Sequence, residues 1–465
     1  MKKLLLVLFS VLFIAVFGLT CFANSGQTSW QGSSNAGTVI FDKDCPIEVE
    51  KEKLVFDIPE FPSTYYESSE DFLDYSASVT AQYTFKNPAD YDVTATLAFP
   101  FGVLPSYTYF DDFAIDFEKY DVTVNGGKIG KKQRHTLFTG YEYFDYKEEG
   151  KKLRDSYVED DFFSPDLPVK VYVYEVNGID DSLFSAYISA SFSEDGEKTR
   201  IMVSDCWGHE YKNNKVHTGL NVENKSSVYV YAIGEDIKNL PEWKMYHDSS
   251  KEVQVEGGSV DLLFTDDRTF KDIATMFHLE ETTNVTEVDW YNATVDYLNS
   301  QTFDEFFLGS DIDIKFTPYN FMRWYEYEIE IGAGEKLLNT VTAPLYPTIN
   351  EGYEPAVYEY NYLLSPAKSW SSFKDLDIEI NTPFYLINSN LGGFEKDVES
   401  YTLFLNSLPK DELNFTLCSE KDPEEIRIPI YVPYEILVLA VIIMAAIILV
   451  LVIVVIVLIV KRKKK

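Results

Sequence analysis

The sequence predicts an all-β protein: two antiparallel β-sandwich-like parts with a small helical insertion, plus one C-terminal transmembrane helix. Two observations carry the β reading. Apolar and polar residues alternate at period two in many short stretches, which gives a strand one buried and one solvated face. Asn-Gly, Pro and Gly punctuate those stretches as sheet turns do. A third observation sets the membrane reading. Residues 436–460 are 25 consecutive apolar residues with no charge. At ~1.5 Å per residue such a run crosses a hydrocarbon core of ~30 Å with some tilt, and a helix satisfies its own backbone groups there.

The basic start at Lys2 and Lys3, the apolar run over 4–19 and the small-x-small site Cys21-Phe22-Ala23 predict a cleaved signal peptide, residues 1–23. Residues 24–37, rich in Ser, Gly, Asn and Gln, read as a flexible leader. A β-rich domain is expected over 38–235. Its clearest strand has Val79, Ala81, Tyr83 and Phe85 alternating with Thr80, Gln82, Thr84 and Lys86. Asn87-Pro88-Ala89-Asp90 breaks that run, and Val93, Ala95, Leu97 and Phe99 resume it, which reads as a β-hairpin. The same grammar recurs over 116–124 before Asn125-Gly126-Gly127, over 169–176 before Asn177-Gly178, and over 226–233. The Tyr-rich, charged stretch 140–161 reads as a long surface loop or lid.

Residues 236–310 form the partly helical insertion, because 269–277 and 287–299 place apolar residues three and four apart. A second β-rich domain follows over 311–420, with strands at 324–331, 375–380 and 413–418. A juxtamembrane linker occupies 421–435, with Tyr431 and Tyr434 at interfacial positions. The membrane helix is 436–460, and the basic tail 461–465 fixes its direction, since Lys and Arg beside a span stay cytoplasmic. The expected location is the cell membrane, single-pass type I, with the ectodomain extracellular and the C-terminus cytoplasmic.

The formal charge of the chain is −35; without the seven positive charges of Lys2, Lys3 and the tail, the exterior part carries −42. Such a field repels nucleic acid, teichoic acids and anionic lipid and attracts cations or basic partners. The mature cysteines, Cys45, Cys206 and Cys418, are odd in number and widely spaced, which fits neither a zinc signature nor a dense disulfide framework and leaves any pairing open.

The run from Val79 through Thr-Ala-Gln-Tyr-Thr-Phe-Lys-Asn-Pro-Ala-Asp-Tyr-Asp-Val-Thr-Ala-Thr-Leu-Ala-Phe-Pro to Phe101 resembles a recurring segment of signal-peptide-bearing, single-pass membrane-anchored surface proteins of Gram-positive anaerobic bacteria. Trp324-Tyr-Glu-Tyr-Glu-Ile, Asn339-Thr-Val-Thr-Ala-Pro-Leu-Tyr-Pro, and Leu364-Ser-Pro-Ala followed by Trp370 are similar to later segments of that group. The resemblance covers most of the ectodomain. It implies class and location; the group has no established activity, so no catalytic residue is carried across.

Candidate chemistry is sparse. Asp74-Tyr75-Ser76-Ala77-Ser78 matches an Asp-x-Ser-x-Ser metal loop, but it runs straight into a strand where that loop needs a following helix. Asp375, Asp377 and Glu379, and Asp311 and Asp313, place carboxylates on one strand face and are the calcium candidates, although a solvated sheet face is the favoured reading because no Asp-x-Asp-x-Asp-Gly loop accompanies them. Glu326, Glu328 and Glu330 repeat that pattern. The 75 acids always furnish a glycosidase-like pair, which makes such a pair uninformative. The 33 Tyr and 33 Phe offer sugar-stacking platforms or ordinary sheet packing. Asp205-Cys206-Trp207-Gly208-His209-Glu210 is the densest reactive cluster, and Cys206 with His209 is its one nucleophile-base option. The five histidines lack metal-protease spacing, and Asn224, Asn284, Asn292 and Asn414 begin sequons. The sequence therefore favours a binding or envelope-structural role without identifiable catalysis. An extracellular hydrolase acting on carbohydrate or peptide, or an accessory subunit of a membrane assembly, are the alternatives. Expected partners are the lipid bilayer and an extracellular protein or glycan, and no nucleic acid.

Overall fold

The computed structural model describes residues 34–36, 39–40 and 45–426, apart from 65, 67–71, 73–74, 106, 108–119, 139, 141–144, 181–182, 279–283 and 302–305. The signal peptide, most of the leader, the membrane run, the tail and Asp74 lie outside the described residues. Among the described residues no helix is long and apolar enough to cross a membrane.

In chain order the first strands are β1 (Ser34–Ala36), β2 (Val39–Ile40), β3 (Glu48–Asp57), β4 (Ser78–Lys86), β5 (Val93–Gly102), β6 (Val122–Val124), β7 (Gly127–Lys128) and β8 (Lys132–Leu137). A short helix α1 (Tyr146–Gly150) leads to β9 (Pro168–Asn177), β10 (Ala186–Phe192), β11 (Thr199–Val203), β12 (His209–Lys212), β13 (Lys215–Val222), β14 (Ser227–Gly234), β15 (Lys244–Tyr246) and β16 (Ser259–Thr269). Helices α2 (Phe270–Ala274) and α3 (Glu287–Ser300) precede β17 (Phe307–Ser310), β18 (Phe321–Ile331), β19 (Lys336–Pro344), β20 (Thr348–Asn350) and β21 (Tyr353–Glu354). The last strands are β22 (Val357–Leu363), β23 (Phe373–Asn381), β24 (Tyr385–Ser389), β25 (Glu395–Lys396), β26 (Ser400–Leu405), β27 (Leu413–Cys418) and β28 (Glu424–Glu425).

The fold is mostly β, in several sheets. In the first body an eight-stranded sheet, β25-β26-β23-β3-β4-β19-β6-β7, faces the sheets β2-β5-β18-β8 and β1-β22-β27-β24. Phe56, Tyr83, Phe99, Tyr325, Tyr362 and Phe415 pack from all three into one core. In the second body the sheet β16-β9-β14-β11-β17 packs on β12-β13-β10-β15 through Tyr174, Ile188, Phe192 and Val230. Its other face is covered by α2 and α3, where Val171 and Tyr231 meet Phe270, Tyr291 and Val295. The far flank of α3 then presses Trp290 onto Leu137 of β8 and Phe321 of β18, which couples the two bodies.

Several expectations hold in detail. Helices α2 and α3 fall within or beside 269–277 and 287–299, and α3 is capped by Thr286, whose hydroxyl accepts from the Asp289 N–H, whereas α1 lies in the stretch 140–161 expected as a loop. Asn125 and Gly126 take positive φ, +49° and +81°, in the tight turn joining β6 to β7.

Others are corrected. The strand boundaries near 78–102 are right, but β4 and β5 are not a hairpin: β4 pairs with β3 and β19, and β5 with β18 and β2. Residues 87–92 arch from one layer of the sandwich to the other. The buried Asn87 holds this arch by donating through Nδ2 to the carbonyls of Tyr91, Ile331 and Gly332 at 2.7, 3.0 and 3.2 Å. The second and third of those carbonyls belong to the matching arch between β18 and β19. β9 likewise pairs with β14 and β16, so Asn177-Gly178 does not close a hairpin onto β10. The sheets are not purely antiparallel: β3 runs parallel to β23, β1 to β22 and β11 to β17. The leader contributes β1, which zips onto β22 instead of remaining free. Nor does pairing stay within the blocks 38–235 and 311–420: β18 pairs with β5 and β8, β19 with β4 and β23 with β3, so the first body combines β3–β8 with β18–β27 and the second is inserted between β8 and β18. Period-two patterning reports which face a residue takes; it does not report which strand is its neighbour.

Candidate functional site

The calcium candidates are occupied by the protein's own groups. Asp377 and Glu379 point outward from β23 beside β3, where Lys51 Nζ lies 2.5 Å from Asp377 and Lys53 Nζ 2.7 Å from Glu379. Asp375 is opposite Lys51 in the same ladder. These are cross-strand ion pairs on a solvated face. Asp311 and Asp313 lie in the other body, so the two sets do not meet. Asp311 accepts from the Asp205 N–H and the Tyr231 hydroxyl, each at 3.1 Å, and Asp313 accepts from the Ser310 N–H at the start of a 3-10 turn. Among the described residues no group of three or more His, Cys, Asp or Glu is placed to hold a metal.

The Cys206–His209 option also dissolves. The Cys206 thiol lies 2.8 Å from Thr218 Oγ1 and near the Gly208 carbonyl, while the His209 ring packs beside Phe307. Burial pushes the thiol pKa up, the opposite of what a nucleophilic thiolate requires. Cys206 and Cys418 both carry free thiols. Ser76 of the Asp-x-Ser-x-Ser run donates to Glu60 Oε1 at 2.9 Å.

The densest buried charge sits where the bodies join. Arg134 on β8 reaches Glu326 on β18 at 2.6 Å and also bonds Asp155; the His135 N–H donates to Asp289 of α3 at 3.1 Å. Lys152 bridges Glu149 and Asp296 at 2.9 and 2.8 Å. Burial lowers the His135 pKa and keeps the ring neutral, against the pull of Asp289. The cavity among these residues measures ≈ 90 Å³, room for a few waters. This cluster acts as a latch between the bodies.

A larger concavity, ≈ 520 Å³, opens on the outer face of the second body's four-stranded sheet. That volume lies in the range of small-molecule sites. Alternation along β10 buries Ile188, Ala190 and Phe192 and turns Ser189 and Ser191 outward, and the exposed Ser193 follows the strand. Lys244 of β15 lies opposite Ser189, and His217 of β13 opposite Ser191. Ser191 Oγ and His217 Nδ1 are 2.7 Å apart. Lys215, Tyr246 and Lys251 complete the basic and aromatic lining, with Glu194 and Glu242 as the acids of the groove. When the Ser191 hydroxyl donates to Nδ1, the neutral imidazole keeps its proton on Nε2 as a donor.

A serine bonded to a histidine raises the question of hydrolysis. Glu210 of β12 is in register with His217 on the side away from Ser191, but not within ion-pair distance. Ser191 is paired with His217 of β13 near the end of β10, the pairing with β15 stops at Ser189, and among the described residues no acid lies at ion-pair distance from His217 to orient it as a base. The arrangement is suited to holding a polar ligand more than to acyl transfer.

No family model matches the chain, and no curated protein matches it. Among solved structures, a "putative nutrient binding protein" from Legionella pneumophila aligns over 83% of this chain and 71% of that chain, with 10% identity and a TM-score of 0.33. A likeness that weak establishes neither a shared fold nor a shared role.

Sequence reasoning missed the groove. Its one local signal was Ser189-Ala-Ser-Phe-Ser193, a period-two row of hydroxyls; Lys215, Lys244 and Lys251 are too dispersed to be grouped without the sheet order.

Proposed function

We propose that the chain is a membrane-anchored extracellular binding protein, held by residues 436–460 with its C-terminus cytoplasmic, and that its ligand site is the groove over β10, β13 and β15. The observation that carries this reading is the ≈ 520 Å³ concavity whose lining is rich in hydrogen-bond donors. Specificity in such sites comes from a few placed polar groups. Hydroxyl, imidazole and ammonium groups supplied by three strands meet that description. The charged apolar-to-basic pattern at the C-terminus supports the anchored location.

The test uses full-length protein in detergent and a panel of small hydroxylated solutes followed by calorimetry. Saturable binding is expected, and Ser191→Trp, which fills the groove, should abolish it while leaving the melting temperature unchanged. Binding that survives this variant removes the groove as the site. The Ser191–His217 pair favours one second reading, an esterase, and sustained ester turnover lost in Ser191→Ala would establish it in place of simple binding.

A further inference from the structure

Resting on that assignment of the groove, we propose its ligand class: a hydroxylated small molecule bearing a phosphate-type anion, such as a sugar or polyol phosphate. Charge is the first argument. The chain carries 75 acids against 40 Lys and Arg, yet three lysines, Lys215, Lys244 and Lys251, line one concavity. Lys51, Lys53, Lys132, Lys152 and Lys170, by contrast, each hold a carboxylate within 3 Å. Lys215, Lys244 and Lys251 have no acid at ion-pair distance among the described residues. In so acidic a protein, three ammonium groups gathered at one cavity, with only the Tyr187 ring 5.6 Å from Lys251 Nζ as a partner among the described residues, favour an anion.

The type of donor narrows the anion. The lining holds lysines and no arginine. Arginine is the residue suited to a planar carboxylate, which it grips with two parallel bonds; lysine serves as a compact point charge that can approach a tetrahedral oxyanion from any side. Glu194 and Glu242 stand in the same groove, so the site is not uniformly positive. The lysines outnumber these acids, and the acids are acceptors for ligand hydroxyls. Ser189 and Ser191 add two hydroxyls about 7 Å apart on one face of β10, and Ser193, just past its end, donates to the Asn214 carbonyl. A phosphate at the lysines with hydroxyls along the serine row satisfies both halves of the lining, which an inorganic ion alone would not.

The experiment compares glucose 6-phosphate, glucuronate, glucose and inorganic phosphate by calorimetry on the full-length protein in detergent, at matched ionic strength. The expected order is sugar phosphate tightest, then inorganic phosphate and the uronate, with neutral glucose weakest. Each of Lys215→Gln, Lys244→Gln and Lys251→Gln should weaken the phosphorylated probe by roughly tenfold, as expected for loss of a charge-assisted hydrogen bond. Glucose binding should weaken by less than binding of the phosphorylated probe in these variants. All three positions are exposed, so the fold is retained, with an unchanged melting temperature as control. If neutral probes bind and Ser191→Trp abolishes that binding, but no phosphorylated probe is preferred, the groove stands and this ligand class falls. If phosphorylated probes bind equally well in the triple lysine variant, or none binds at all, the proposal is overturned.

Discussion

Glu52 shows how one residue can be misplaced by a pattern. Along β3 the bulge at Glu50 resets the alternation, so that Val49 faces inward before it and Glu52, Leu54 and Phe56 after it. Glu52 is fully buried opposite Tyr83, and neither carboxyl oxygen has a hydrogen-bond partner of normal geometry. Burial raises its pKa to about 8, against a smaller downward pull from the Tyr83 hydroxyl. The folded state therefore holds the proton more tightly than the unfolded chain. The stability contribution is full below the unfolded value of 4.5 and is lost as pH rises through about 8. At ~1.4 kcal/mol per pKa unit the loss is on the order of a few kcal/mol. Glu52→Gln should flatten the fall in melting temperature between pH 5 and 9 and be the more stable protein at pH 9. Parallel melting curves for the two proteins across that range would rule this out. The parity shared by Glu52, Leu54 and Phe56 is visible in the sequence; the bulge that makes it matter is not, because nothing local distinguishes Glu50 as the extra residue.

At the scale of elements, what was legible follows from how local each signal is. Helix α3 carries its own period and cap, and β27 spans the predicted 413–418. The link between β4 and β5 was misread because Asn-Pro serves hairpins and arches alike. The choice is made 244 and 245 residues away, where the carbonyls of Ile331 and Gly332 receive the Asn87 amide. The two arches share further bonds: the Asn87 N–H donates to the Glu335 carbonyl and the Gly334 N–H to the Ala89 carbonyl. Asn87→Ala leaves three carbonyls without the amide and should cost about 2–4 kcal/mol in denaturant unfolding. Asp92, which is exposed, accepts from the Ala333 N–H at 2.9 Å, and Asp92→Ala should cost less than about 1 kcal/mol. Equal, small effects at both positions would show that the arches are held by their layers alone.

For the molecule as a whole, composition gave the class and the charge, while topology determined what those charges do. The groove lysines come from two strands and a turn, and the second body that bears them is an insertion between two neighbouring strands of the first. No one-dimensional pattern encodes that assembly. Its consequence is a conflict between fields: the chain's −35 repels an anion at long range, while Lys215, Lys244 and Lys251 attract it at contact. Salt separates the two by distance. The Debye length falls from ~30 Å at 0.01 M to ~8 Å at 0.15 M, which removes the distant repulsion first and leaves contacts of a few ångströms largely intact. The association rate of a sugar phosphate should therefore rise severalfold over that interval, where a site on a neutral protein would show a fall. Above about 0.5 M the lysine contacts are screened in turn and affinity declines. In the triple Lys→Gln variant the early rise should persist and the later decline disappear, because only the distant acids remain. A rate that falls steadily from 0.01 M upward in the unmodified protein would mean that the groove's own positive field reaches beyond the acidic surface around it.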